Sequence, residues 1–182
     1  MRSELAKAVK KDFSRRFLQQ FHGFVPQEPT GALRGGLLYE WQHSPDLSCF
    51  VYLQISQKMY QDCFMVEIAC SKGEFPIHLV AFDPNEVRDG SVRFRLPELY
   101  RDEWRQRSRR VPWWWIGPEI TPKEITARAM ARVDSGALPE KDEGLIPIDQ
   151  ALPLVEAQVQ DAVDRIKRFG VPFFQRFAEA KM

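Results

Sequence analysis

Two eight-residue stretches, 49 to 56 and 63 to 70, alternate with the period of a β-strand. In the first, Cys49, Val51, Leu53 and Ile55 fall on one side and Phe50, Tyr52, Gln54 and Ser56 on the other. In the second, Phe64, Val66, Ile68 and Cys70 alternate with Cys63, Met65, Glu67 and Ala69. Successive side chains of a strand point to opposite faces, so each run carries a wholly apolar face that another layer must cover. Residues 37 to 42 form a short aromatic strand just before them, closed by the turn sequence His43-Ser-Pro-Asp46. The spacing predicts an antiparallel meander.

Helical stripes supply the cover. Leu5, Val9, Phe13, Phe17 and Phe21 recur every four residues, which predicts a helix over 3 to 21 with Ser3 as N-cap and Gly23 as stop. Leu152, Val155, Val159, Ala162, Val163, Ile166 and Phe169 repeat at three and four residues and predict a second long helix over 149 to 169. Pro153 belongs in its first turn, which puts the cap near Asp149 or Gln150, and Gly170 ends it. A short terminal helix follows over 172 to 180. Thr121-Pro-Lys-Glu124 is a capping box with Pro at N1, so a further helix runs from 122 to 134. Residues 98 to 110 form a short charged helix, and 24 to 35, with two prolines and two glycines, a loop. Strands at 77 to 82 and 92 to 96 would widen the sheet, the latter holding Arg93 and Arg95 on a wet face. The fold class expected is α+β: an antiparallel meander of four to five strands packed against an N-terminal helix and C-terminal helices, in one globular domain over 1 to 182.

The composition agrees: 182 residues, 44% hydrophobic and 28% charged, exclude disordered and fibrous classes. The net charge of +1 argues against a polyanion-binding domain. No apolar run suits a signal peptide or a membrane span, which points to a cytoplasmic protein without membrane contact. Cys49, Cys63 and Cys70 form no Cys-x-x-Cys pair and read as buried free thiols.

Catalytic chemistry finds no motif. His22, His43 and His78 are isolated, no metal-ligand spacing occurs, and no phosphate cradle or serine nucleophile elbow is present. Neither metal nor cofactor is expected. Glu40 and Glu67, if on neighbouring strands of one face, could share a proton, although two solvent-side carboxylates are the plainer reading.

The feature left over is Val111-Pro-Trp-Trp-Trp-Ile-Gly-Pro118, after the basic run 101 to 110. In an extended segment Trp113 and Trp115 face one way and Trp114 the other, so a one-faced core takes at most some of the rings. Aromatic rings beside arginines have the composition of an interface hot spot, which makes Trp104, Arg105, Arg109, Trp113, Trp114 and Trp115 the interface candidates. The partner would be another protein or a second copy, and the function non-enzymatic. A second reading is a small-molecule or enzyme cleft between sheet and helices, lined by Tyr39, Trp41, Tyr52 and Glu67. A third is a single-stranded nucleic-acid binder using Arg105, Arg107, Arg109 and Arg110, which Asp102, Glu103 and the near-neutral charge disfavour.

An amphipathic helix ending near Gly23-Phe24, an aromatic strand, a two-strand meander and a late helix closing in Gly170-Val-Pro-Phe-Phe174 together resemble a bacterial domain-of-unknown-function family of small α+β proteins. The likeness covers mainly 5 to 72 and 149 to 177. It implies a fold and lends no catalytic residues.

Overall fold

The computed structural model describes residues 1–56, 62–79, 81, 83–107, 113–117, 124, 127, 130 and 145–180, the side chains of 105–107 excepted. Helix α1 (Ser3–Gln20) leads into strands β1 (Val25–Gln27), β2 (Leu37–Ser44), β3 (Leu47–Ile55), β4 (Cys63–Ser71) and β5 (Val92–Arg95). A 3-10 turn at Leu96–Tyr100, helix α2 (Arg101–Arg107) and strand β6 (Trp114–Trp115) follow. Helix α3 (Ile148–Arg165), a π-turn (Ile166–Gly170) and helix α4 (Val171–Glu179) end the described chain. All strand pairs are antiparallel. The order is β1-β2-β3-β4-β5, with β6 also on β4. Both β5 and β6 lie along one edge of β4, β5 against Glu67–Cys70 and β6 against Cys63–Phe64. The α+β architecture read from periodicity is thus the one observed, with six strands among the described residues.

Register sorts the side chains. Tyr39↔Val51↔Ile68↔Phe94 runs across one face. That face meets the helices: Tyr39 sits 4.5 Å from the Phe17 ring and 6.2 Å from Phe13, and Phe94 lies 4.8 Å from Phe173. Leu5, Val9, Phe13 and Phe17 of α1 are all fully buried, as the four-residue spacing predicts.

The opposite face departs from expectation. Phe50, Tyr52 and Ala69 are also buried, under Leu33 and Phe75 of two loops that fold back over the sheet. Arg93, expected on a wet face, is only 8% exposed and ion-paired to Glu67. A second apolar face on β3 and β4 draws a second cover, and a strand partner buried there must bring a counter-charge. One loop reaches the sheet through Gly36, where a Cβ would lie 2.5 Å from the Leu53 carbonyl oxygen and press into the Tyr52 ring. Gly36→Ala is therefore expected to lower stability by about 1–3 kcal/mol through overpacking against backbone, read as a lower urea midpoint at unchanged slope.

Helix boundaries also move. The N-cap of α1 is Arg2 rather than Ser3, and no side chain of its own caps it. Asp62, far along the chain, accepts the Arg2 backbone N–H at 2.9 Å and its Nε at 2.8 Å, while Arg2 donates on to the Ile146 carbonyl at 2.7 Å. A tertiary carboxylate replaces the local cap. At the other end Gly23 is no cap; the helix stops at Gln20 and Phe21 turns inward as C-cap. Strand β1 and the 3-10 turn Gly31–Leu33 lie in the segment read as loop. Residues 77–79 and 81 form no strand, although the Ala81 N–H donates to Arg93 O at 2.7 Å.

Helix α3 begins with Pro147 as N-cap, leaving Pro153 inside the helix. Its buried stripe uses Ala151 in place of Leu152, which is 41% exposed. Gly170 does not stop the helix, since its φ of −69° and ψ of −48° are helical. Instead the backbone widens: the Val171 N–H donates to Ile166 O, five residues back. Pro172 lacks an N–H and its ring would strike the carbonyl of Arg168 in a regular helix; the π-turn relieves that clash and lets α4 continue. The capping box at Thr121 and most of the helix expected over 122 to 134 lie outside the described residues, among which Glu124, Ala127 and Met130 are helical.

Candidate interaction site at the tryptophan segment

Strand β6 pairs Trp114 with Phe64 and Trp115 with Cys63 on β4. Trp114 therefore points to the helix face. It is 2% exposed, with its ring stacked on Phe64 (centroids 5.7 Å apart, planes 7° from parallel) and edge-on to Trp104 at 5.0 Å. Its Nε1–H donates to Asp161 Oδ2 of α3 at 2.9 Å, satisfying the indole's one polar atom. Trp104 is itself buried and lies 6.0 Å from Tyr100, which stacks on Phe169 at 4.6 Å.

A cationic layer closes over these rings. The Arg165 guanidinium sits 4.5 Å from the Tyr100 centroid and donates to Asp161 at 3.2 Å and to Glu103 at 3.3 Å. Arg168 lies over Phe169 at 4.7 Å and pairs with Glu103 at 3.3 Å. Two of the interface candidates, Trp104 and Trp114, are thus spent joining α2, β6 and the C-terminal helices. They are anchors and present no surface.

Trp113 and Trp115 differ. Strand alternation turns them away from Trp114, and both are partly exposed. The Trp115 Nε1 is buried with no hydrogen-bond partner among the described residues. Directly after them the Ile116 N–H donates to Asp62 O at 2.8 Å, and Gly117, at φ 104°, lies against Ile146. Leu145, Ile146 and Ile148 are half-buried alongside. None of the residues 113–117 and 145–148 carries a charge. Arg105 belongs to α2, but its side chain and those of Arg107, Arg109 and Arg110 lie outside the described residues.

The four cleft candidates are not brought together. Tyr39 and Trp41 belong to the helix face, where Trp41 packs on Phe24 and His43. Tyr52 and Glu67 are register partners on the opposite face. Glu67 Oε2 accepts from Arg93 Nε at 3.0 Å and NH2 at 2.6 Å, and Arg93 NH1 donates to the Ile77 carbonyl at 2.5 Å with its guanidinium 4.9 Å from the Phe75 ring. The pair straps the covering loop to the sheet. Glu40 is not its neighbour: β3 runs between them, and Glu40 accepts from Ser48 Oγ at 2.7 Å. The proton-sharing carboxylate pair is therefore absent.

Tyr52 Oη donates to Leu33 O at 3.1 Å, and burial, reinforced by the Glu67 carboxylate, pushes its pKa up to about 12 from 10.0. Between these values the unfolded chain has lost the phenol proton while the folded chain keeps it. The contribution is whole below pH 10.0 and is lost as pH rises toward 12. Tyr52→Phe is expected to flatten the fall in stability across that window, measured by urea unfolding at a series of alkaline pH values.

Sequence reasoning missed an open cleft of about 600 Å³ where Leu99 and Phe173 meet Asp83, Glu98, Arg101 and Arg176. Its walls come from three distant segments, and no local pattern marks them. Arg101 and Glu98 pair with each other at 2.5 Å, which offsets much of its charge. Among the described residues no cluster of His, Cys, Asp and Glu could hold a metal ion, and no helix is long and apolar enough to cross a membrane. No family model, no curated protein and no solved structure matches this chain.

Proposed function

We propose that the chain is a non-catalytic interaction module that self-associates through the ridge formed by Trp113 and Trp115. The observation that carries this reading is the split fate of the three tryptophans. Trp114 is locked by ring stacking and by Asp161, so β6 holds its two neighbours on a rigid frame with their rings partly in water. Large rings ordered before binding lose little conformational entropy when covered, which is what an interface anchor requires.

The surroundings select the partner's chemistry. An uncharged strip, continued by Leu145, Ile146 and Ile148, fits an apolar protein surface better than a phosphate backbone or a polar ligand. A second copy offers that surface by two-fold symmetry, each ridge packing on the other, and the net charge of +1 sets up little repulsion between copies. Light scattering over a concentration series should give a mass above the 21.2 kDa of one chain, returning to that value in the double variant Trp113→Ala/Trp115→Ala. A wild-type mass of one chain at every concentration, or a dimer indifferent to both substitutions, would overturn the reading.

A further inference from the structure

Cys49 and Cys70 face each other across β3 and β4 with their Sγ atoms 3.4 Å apart. The backbone between these strands shows which kind of pair they form. The Ser56 N–H donates to Cys63 O, so residues 56 and 63 are a hydrogen-bonded pair. Hydrogen-bonded and non-hydrogen-bonded pairs alternate along an antiparallel ladder, and Cys49↔Cys70 lies seven steps away in the same register. It is a non-hydrogen-bonded pair, in which the Cα atoms approach to about 4.5 Å, within the span a disulfide bridges.

We infer that Cys49 and Cys70 form a redox-closable staple, a dithiol that a two-electron oxidant of the peroxide class converts to a cross-strand disulfide without rearranging the sheet. One sulfur, as thiolate, attacks a peroxide oxygen, breaking the O–O bond to give a sulfenic acid and hydroxide. The second sulfur gives up its proton and attacks the sulfenyl sulfur, forming the S–S bond and expelling hydroxide. Two thiols and one hydrogen peroxide become one disulfide and two waters; the sulfurs lose two electrons, and the peroxide oxygens gain them.

Position sets the pace of the reaction. Both side chains are fully buried, and burial with the Cys49 contact keeps the Cys70 thiol protonated. The pair stands one register step from Ser48↔Ser71, where the β3–β4 ladder ends and strands fray first. Oxidant therefore enters by local opening of that end, and the staple closes slowly but holds once formed. The third thiol is an internal control: Cys63 lies seven residues from Cys70, about 23 Å along β4, and on the opposite face.

The test is to expose the folded chain to hydrogen peroxide, alkylate remaining thiols in denaturant, and map the peptides by mass. The expected product has lost the mass of two hydrogens, carries one alkylated thiol at Cys63, and yields a linked peptide joining 49 and 70. Its thermal midpoint should rise by about 5–10 °C, because closing a loop of about 20 residues restricts the unfolded chain. The Cys63→Ser variant should behave in the same way. A link that includes Cys63, three alkylatable thiols after oxidation that modifies exposed methionine, or a linked product with a lower midpoint would overturn the inference.

Discussion

Replacing Trp114 by alanine is expected to cost about 3–5 kcal/mol of folding stability, the range for truncating a large buried ring to a methyl group. Three losses combine. The stack on Phe64 and the edge contact with Trp104 disappear, a cavity opens between β4 and α3, and Asp161 loses the Nε1–H it accepts. Trp114→Phe separates them, since the ring still fills most of the space and only the polar contact is lost. That variant should cost about 1–2 kcal/mol, the penalty for an unmade bond to a charged group that Arg165 still partly serves. Urea unfolding of the two variants side by side reads both values. A near-equal cost would mean that the indole nitrogen, and not the packed ring, holds β6 in place.

The second large effect concerns the strap across the opposite face. Arg93→Met should cost about 3–5 kcal/mol, because it leaves the Glu67 carboxylate, itself almost wholly buried, without its counter-charge. The double variant Glu67→Leu/Arg93→Met should recover most of that loss, since an apolar pair of similar volume removes both desolvated charges together. The loop bonds to Pro76 and Ile77 are lost in both variants, so their difference isolates the stranded carboxylate. A double variant as unstable as the single one would show that the loop attachments dominate.

Periodic segments were legible because their cause is local. The four-residue stripe of α1 follows from one buried face and the two-residue alternation of β3 and β4 from the strand pleat, and both appear where periodicity places them, although β3 and β4 are covered on both faces. What could not be read depends on contacts between distant residues. Asp62 caps α1 from 60 residues away, so Ser3 looked like the cap. Arg93 in an alternating strand looks wet until Phe75 and Ile77 are seen to cover it. Gly170 before Pro172 reads as a stop, and only packing of α4 against Phe94 and Phe24 makes a π-turn the better solution. The tryptophan segment shows both sides of this limit. Alternation separates Trp114 from its neighbours, but only the register with β4 tells which side is the core.

The account turns on that separation, and nuclear magnetic resonance of the tryptophan rings measures it directly. With a soluble paramagnetic chelate added at low protein concentration, ring protons of Trp113 and Trp115 should broaden while those of Trp114 stay sharp, its indole N–H exchanging slowly behind the Asp161 bond. Broadening of Trp114 together with its neighbours, or equal protection of all three rings, would contradict it.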